Sequence, residues 1–319
     1  MGKHGVGIIT MIDISNNNIA YLREKKGEEF HVYWSLGNQC TYKCSYCPSI
    51  FHDGSVPYQP IDVIQRTLQK LPSSHVMFTG GEPTFHPDFE KIILEKPDHI
   101  KLSVISNASR PIAFWERIVD KMHVVILTYH AEFSNLDRFY KTAELVFLKS
   151  KRIGLINLTM IPTHWDHCLM AYKLFRDNNI EVTVKPLLED FGIASTKVLS
   201  TYTEQQLQWI NNHTDDSYKN IIFYDKQNNA LFESNQSQLI ANKQTNFNGW
   251  KCYTPKYYLY ISWNGDVYDT ACKQRKLVGN IYTDFTPSSE PIICEQNFCW
   301  CFSDIRTSKI KDLSVNLDI

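Results

Sequence analysis

Between residues 30 and 190, short runs of β-branched and aromatic residues alternate with longer stretches whose apolar positions recur at helical spacing. The short runs are FHVYWSLG (30–37), HVMFTG (75–80), IKLSVIS (100–106), HVVILTYH (123–130), GLINLTMI (154–161) and IEVTVKPL (180–187). Runs of this length and composition read as strands. Between them lie PIDVIQRTLQKL with its early Asp62, HPDFEKIILEK opening after Pro87, PIAFWERIVDKM with Pro111 at its start, SNLDRFYKTAELVFLKSKR capped by Ser134 or Asn135, and DHCLMAYKLFRDNN. Early proline, an acidic first turn and a Ser or Asn cap are helix-start signals. Strands and helices in alternation predict an α/β fold with a parallel sheet. Six such units suit a partial (β/α)6 TIM-type barrel, with an open doubly wound sheet as the other arrangement of the same rhythm. Either one places a site where strand C-termini meet the following loops.

After about residue 191 the rhythm stops. TYTEQQLQWINNH (201–213) predicts one more helix, and the Asn-, Gln-, Ser- and Lys-rich stretch 217–249 contains a short hairpin, IIFYDKQNNALFES. A second hairpin, YYLYISWNGDVYDTAC, alternates on either side of Asn264-Gly265, a favoured two-residue turn. The chain therefore divides into an N-terminal extension (1–29), the barrel (30–190), a helical and hairpin connector (191–249) and a small Cys-rich β-hairpin extension (250–319). There is no internal repeat.

A formal net charge of -1, from 33 Lys+Arg against 34 Asp+Glu, provides no long-range field to recruit nucleic acid or an anionic membrane. No run approaches the roughly 18 apolar residues a membrane span needs, and the first residues lack a signal-peptide pattern. The expected location is the cytoplasm, where thiols stay reduced. Nine cysteines then point to metal or catalysis rather than to a disulfide framework. Cys40, Cys44 and Cys47 cluster early, and Cys252, Cys272, Cys294, Cys299 and Cys301 cluster late. Cys168, beside Met170 and Leu174, reads as a small buried apolar residue.

Three thiols at x3 and x2 spacing after the first strand suit a soft metal centre, zinc or iron–sulfur. Structural zinc wants four closed ligands, so a zinc knuckle here would need His52 or a remote residue. A cubane held by three cysteines instead keeps one iron free. CTYKCSYC (40–47) resembles the CxxxCxxC signature of the radical S-adenosylmethionine (SAM) enzymes, with aromatic Tyr46 before the third cysteine. TGGEP, at the second strand end, is similar to that family's GGEP motif, here Gly80, Gly81, Glu82 and Pro83. The resemblance implies a [4Fe–4S] cluster on Cys40, Cys44 and Cys47 and a SAM methionine moiety whose amine meets the GGEP turn. It also implies reductive cleavage to a 5′-deoxyadenosyl radical that abstracts a substrate hydrogen, and an electron donor such as flavodoxin or ferredoxin. Taken without the cysteine loop, GGEP is a tight turn before a helix. Ser106 and Asn107 at the third strand end suit hydrogen bonds to a ribose or carboxylate, although both are also ordinary strand-end residues.

The late cysteines, with Asn264-Gly265-Asp266-Val267 between Cys252 and Cys272 and Gly279-Asn280-Ile281 after them, are similar to the SPASM and twitch extensions of the same superfamily. That resemblance implies one auxiliary [4Fe–4S] cluster, with structural zinc as the alternative. Five thiols supply one four-cysteine site with one to spare. His130, at the fourth strand end, suits a hydrogen bond or proton relay in the site, or a purely structural role. Lys185 suits an interior cation facing a carboxylate, or a lysine snorkelling to solvent. The expected activity is oxidoreductase-type radical chemistry, a dehydrogenation in particular, on a small molecule or peptide. A peptide-modifying maturase, a nucleotide-modifying enzyme and a non-catalytic metal protein are the alternatives.

Overall fold

Strand β1 (Tyr21–Glu24) is followed by six strands that carry the βα rhythm: β2 (Phe30–Ser35), β3 (Ser74–Thr79), β4 (Ile100–Ser106), β5 (Val124–Tyr129), β6 (Ile153–Met160) and β7 (Val182–Pro186). The computed structural model describes residues 14, 18–189, 197–213, 219–299 and 301–315. Strands β2 to β7 pair in sequence order, every pair parallel. The intervening helices are α1 (Ile61–Lys70), α2 (Phe89–Leu94), α3 (Ile112–Ile118), α4 (Leu136–Ala143) and α5 (Trp165–Asp177), and α6 (Glu204–His213) follows β7. Helix α1 starts after Pro60 with Asp62 in its first turn, and the Asn135 side chain accepts from the Arg138 N–H at the start of α4.

Alternation along the strands decides what each face does. Val32, Trp34, Val76, Phe78, Leu102, Val104, Val125, Leu127, Ile156, Leu158 and Val184 are buried against Ile64, Leu68, Ile93, Trp115, Phe139 and Phe175 of the helices, in one continuous core. Each such side chain contributes about 1.5–3 kcal/mol by leaving water. Cys168 is fully buried in the same core, its Sγ 3.5 Å from the Thr159 carbonyl. The opposite face carries His31, Tyr33 and Ser35 on β2, Thr79 on β3, Thr128 on β5, Asn157 and Thr159 on β6 and Lys185 on β7, many of them only half-buried. Helices thus cover one face, and the other, which also carries Met77, Ile105, Ile126 and Leu155, stays partly open.

The sheet is open, with β7 and β13 (Leu277–Asn280) as its edges among the described residues. One expectation changes: the C-terminal hairpin is not an appended unit. Its strands β11 (Tyr258–Ile261) and β12 (Asp266–Tyr268) belong to the main sheet, with β11 parallel to β2 and β13 antiparallel to β12. The physical reason is the apolar side of β11: Leu259 and Ile261 complete the core beside Val32 and Trp34, and pairing covers the β2 edge. Gln59 locks this junction, accepting from Trp34 Nε1 at 2.6 Å and donating to the Ser262 and Trp263 carbonyls at 2.9 and 3.1 Å.

A second sheet joins the chain's remaining parts in the order β14-β10-β15-β1-β8-β9, where β8 is Ile221–Tyr224, β9 Ala230–Ser234, β10 Lys251–Cys252, β14 Ile292–Ile293 and β15 Lys309–Ile310. Its core contains Leu22, Phe223, Phe247 and Trp250 together with Cys252, Cys294 and Cys299. Three of the five late thiols are therefore embedded in this second core, while Cys272 and Cys301 are half-buried. No helix of the described residues is long and apolar enough to cross a membrane.

Candidate active site and cysteine centres

The segment 38–56, which follows β2, is tied at its root by Asn38. That fully buried side chain donates to the Ile50 carbonyl (3.0 Å), Asp53 Oδ1 (2.8 Å) and Ser55 Oγ (2.9 Å), and accepts from the Val56 N–H at 2.9 Å. A bridge between Gln39 and Asp53 closes the loop. Cys40, Cys44 and Cys47 lie inside it, Cys44 buried and the other two half-buried. The Cys47 N–H donates to the Cys44 carbonyl at 3.0 Å, and Cys40 Sγ accepts from the Tyr42 N–H at 3.4 Å and from Asn107 Nδ2 at 3.7 Å. Burial raises all three thiol pKa values, Cys44 to about 12 and Cys47 to about 11; Glu132 and the other two thiols add to the rise at Cys44. Three thiols close enough to disfavour one another's ionisation are a donor set that a soft cationic centre would relieve.

The GGEP turn packs directly on this loop. A Cβ at Gly80 would lie 2.4 Å from the Gly37 carbonyl oxygen, and one at Gly81 would lie 2.2 Å from the Gln39 oxygen, so both positions exclude any side chain. The Gly81 N–H donates to Gly37 O and the Glu82 N–H to Gln39 O, while Tyr58 OH donates to the Glu82 carbonyl at 3.0 Å. Pro83 is buried at the start of a short 3₁₀ turn, Pro83–Phe85. The Glu82 carboxylate, 1 % exposed, is occupied by protein donors. Its Oε1 accepts from Thr84 N (3.1 Å), Thr84 Oγ1 (2.6 Å) and Ser106 Oγ (2.8 Å), and its Oε2 accepts from Asn107 N (2.7 Å). Burial raises its pKa against these donors. Of the roughly four lone-pair sites of a carboxylate, one on Oε2 remains. Glu82 therefore staples the β3 and β4 ends together. Asn107 continues the chain of contacts, its Nδ2 reaching Cys40 Sγ and Thr41 Oγ1.

The fourth strand end closes the ring. Glu132, two residues beyond His130 and unmarked by any sequence pattern, accepts from the Ser45 N–H at 2.7 Å and from Ser45 Oγ, and so holds the cysteine loop against β5. His130 hydrogen-bonds Tyr46 OH through Nδ1, and burial lowers its pKa to about 4, so the imidazole is neutral at pH 7. Lys185 is lowered to about 8 by burial. Both side chains lie deep yet keep some solvent access, as groups lining a recess do. Thr159 pairs in register with Lys185 across β6 and β7. The structure thus brings together Cys40, Cys44, Cys47, Tyr46, Gly80, Gly81, Glu82, Pro83, Ser106, Asn107 and His130 at strand C-termini, with Lys185 at the end of β7.

The late cysteines form a separate centre. One cavity is lined by Cys252, Cys272, Cys294 and Cys299 together with Thr270, Asp304 and Lys309. Cys301 is not on its wall; it caps the short helix Phe302–Arg306, where burial and then Asp304 raise its pKa. Lys309 is buried, and its Nζ donates to the carbonyls of Asp304, Ile305 (3.3 Å) and Thr307 (2.9 Å). Burial disfavours its charge, but Cys252, Cys299, Asp304 and Cys294 outweigh that and raise its pKa. Four thiols around a cavity beside a buried cation fit a thiolate-ligated centre of net negative charge.

A loop of three thiols is thus stitched to the C-terminal ends of neighbouring parallel strands at the mouth of an α/β domain. Residues 34–184 match the family model of the Radical SAM superfamily. The match covers a little under half of the chain, and the matched family implies SAM and a [4Fe–4S] cluster. Locally the chain is similar to GTP 3′,8-cyclase of Shewanella denitrificans, 32% identical over 82 residues, 24% of this chain and 24% of that protein. It is similar to probable GTP 3′,8-cyclase of Methanocella arvoryzae, 29% identical over 97 residues, 28% of this chain and 32% of that one. The match spans about a quarter to a third of the length of these curated relatives. In fold the chain is similar to Streptococcus suis SuiB, with a TM-score of 0.52, 17% identity and coverage of 81% of this chain and 64% of that one.

Proposed function

We propose that Cys40, Cys44 and Cys47 hold a SAM-binding [4Fe–4S] cluster and that the enzyme abstracts a hydrogen atom from a substrate bound in the recess before β5, β6 and β7. The observation that supports this most directly is the continuous hydrogen-bonded chain from Glu82 through Ser106 and Asn107 to Cys40, which fixes the GGEP turn and the cysteine loop as one unit. When bound, cluster and SAM together supply hydrogen-atom abstraction by one-electron cleavage of the sulfonium. The chain's own residues do the rest. Asn107 and the Tyr42 N–H orient Cys40, Tyr46 and His130 form a neutral pair at the site, and Lys185 offers a cation to an anionic group of the substrate.

Residues 30–190 form the catalytic unit in this reading, 191–249 connect it, and 250–319 complete an auxiliary SPASM- or twitch-like [4Fe–4S] centre. Cys252, Cys272, Cys294 and Cys299 are its ligands. An auxiliary centre closed by four thiolates is suited to accept an electron from the substrate, which favours a dehydrogenation of a small molecule or peptide. Flavodoxin or ferredoxin is the reductant. A nucleotide substrate is the second reading, favoured by the name GTP 3′,8-cyclase carried by both local relatives. Anaerobic reconstitution followed by dithionite and SAM tests the core of the proposal. 5′-Deoxyadenosine is the expected product, and its persistence after replacement of all three early cysteines by alanine would sink the assignment.

A further inference from the structure

The opposite, N-terminal end of the parallel sheet carries a second constellation that radical chemistry does not use. We propose that Glu29, His31 and His75 form a binding site for one divalent transition-metal ion, zinc being the best match. One ligand atom from each residue lies within 4.8 Å of the other two. This follows from register: His31 of β2 is paired with His75 of β3, so both rings leave the sheet on the same face, and Glu29 immediately precedes β2. The rings are 5.3 Å apart between centroids at 56°. Glu29 Oε2 is 4.0 Å from His75 Nδ1.

The surroundings orient the ligands. His75 Nε2 is 2.6 Å from Ser103 Oγ, and that hydroxyl accepts the Val124 N–H at 3.0 Å. A proton on Nε2, donated to Ser103, leaves the Nδ1 lone pair turned toward Glu29 and the ion. Imidazole ligands are commonly fixed in this way by a hydrogen bond at the other ring nitrogen. His31 is buried, while Glu29 and His31 both line an open cleft with Glu24, Lys26, Glu28 and Lys101 through which an ion can enter. His123 stacks edge-on against His75, centroids 5.1 Å apart.

The charges nearby decide which cation. Lys101 Nζ already holds Glu29 Oε1 at 2.6 Å, and Arg306 lies 3.8 Å from Glu24. Positive and negative groups are nearly balanced, so a hard ion attracted mainly by charge, such as calcium or magnesium, has little to gain. Two imidazoles and one carboxylate instead suit zinc, which gains from bonds to nitrogen. Oε2 serves the ion while Oε1 keeps Lys101.

The test uses the cluster-loaded enzyme, so that the cysteines are occupied, titrated anaerobically with Zn(II) against a chromophoric chelator. One equivalent is expected in the parent protein. Glu29→Gln and His75→Gln should each weaken it by at least about tenfold, the scale that even an outer-shell loss produces. Co(II) in the same site should show d–d bands without thiolate charge transfer. Glu29 is half-exposed, so its variant tests the proposal if His75→Gln does not fold. Absence of a zinc equivalent in the loaded parent, its survival in Glu29→Gln, or cobalt bands of thiolate origin would each overturn the assignment.

Discussion

The two cysteine regions use the same side chain in opposite settings. The early loop, 38–56, is attached to its sheet only at one end and borrows its rigidity from neighbours: Asn38 at its root, Asn107 on Cys40 and Glu132 on Ser45. It offers three thiols, two of them half-buried. The late centre is built into the second core, with Cys252, Cys294 and Cys299 buried beside Ile305 and Phe247 and with Lys309 buried against it. It offers four thiols to one cavity. The difference is instructive: thiols on a loop at the mouth of a sheet stay partly open to an incoming ligand, whereas thiols set in a core are closed off from one.

The largest effect that separates them is all-or-none. Replacing Cys40, Cys44 and Cys47 together by alanine should abolish 5′-deoxyadenosine formation, measured by chromatography, while about four irons remain bound at the late centre. If the remaining spectrum still responds to SAM, the roles of the two regions are reversed. Zinc instead of iron there, after strictly anaerobic purification, would make the late centre a structural knuckle and remove the electron-acceptor argument.

A finer division lies within the late group. Cys299→Ala should lose the late iron, whereas Cys301→Ala should keep it, because only Cys299 lines the cavity. Equal loss in both variants, by iron analysis and absorbance, would contradict that ligand set.

Next comes Glu82. Removing its carboxylate in Glu82→Ala strands the donors of Thr84, Ser106 and Asn107; leaving buried donors unpaired should cost about 3 kcal/mol of stability. Denaturant unfolding measures this directly. A variant of parental stability that only loses SAM affinity would mean that the carboxylate serves the ligand and not the staple.

The smallest effect concerns charge in the recess. Lys185 has a pKa lowered to about 8 by burial. Its charge is therefore carried at a cost below pH 8, and the native state is relieved of that cost as pH rises from 8 toward the unfolded value near 10.5. After ¹³C-dimethylation, one lysine resonance should titrate near pH 8 and be missing in Lys185→Arg. A spectrum with every lysine near 10.5 would place Lys185 in solvent.

Much of the frame was legible in the chain. The six βα strands lie within a residue or two of the runs that suggested them, because apolar alternation and helix-start signals are local properties. The early cysteine spacing and GGEP were legible for the same reason: residues close in sequence must be close in space. The place of the last hairpin was not. Strand β11 pairs with β2 more than two hundred residues earlier, and no local pattern names a strand's partner. Glu132 and Asn38 were missed because a single polar residue in a loop carries no period; only their partners reveal their work.

By itself, then, the sequence determined the order of elements, the parallel sheet, the two groups of thiols and the turn that meets the first of them. The tertiary structure decided which face of the sheet stays open, how the last hairpin lengthens it, which four of five late cysteines share a cavity and what the Glu82 carboxylate touches. It also set His31 and His75 side by side. The physical reason is common to all of these: backbone preferences and side-chain alternation act over a few residues, whereas register, cavity walls and buried hydrogen bonds are settled only when distant segments compete for the same apolar surface and the same donors.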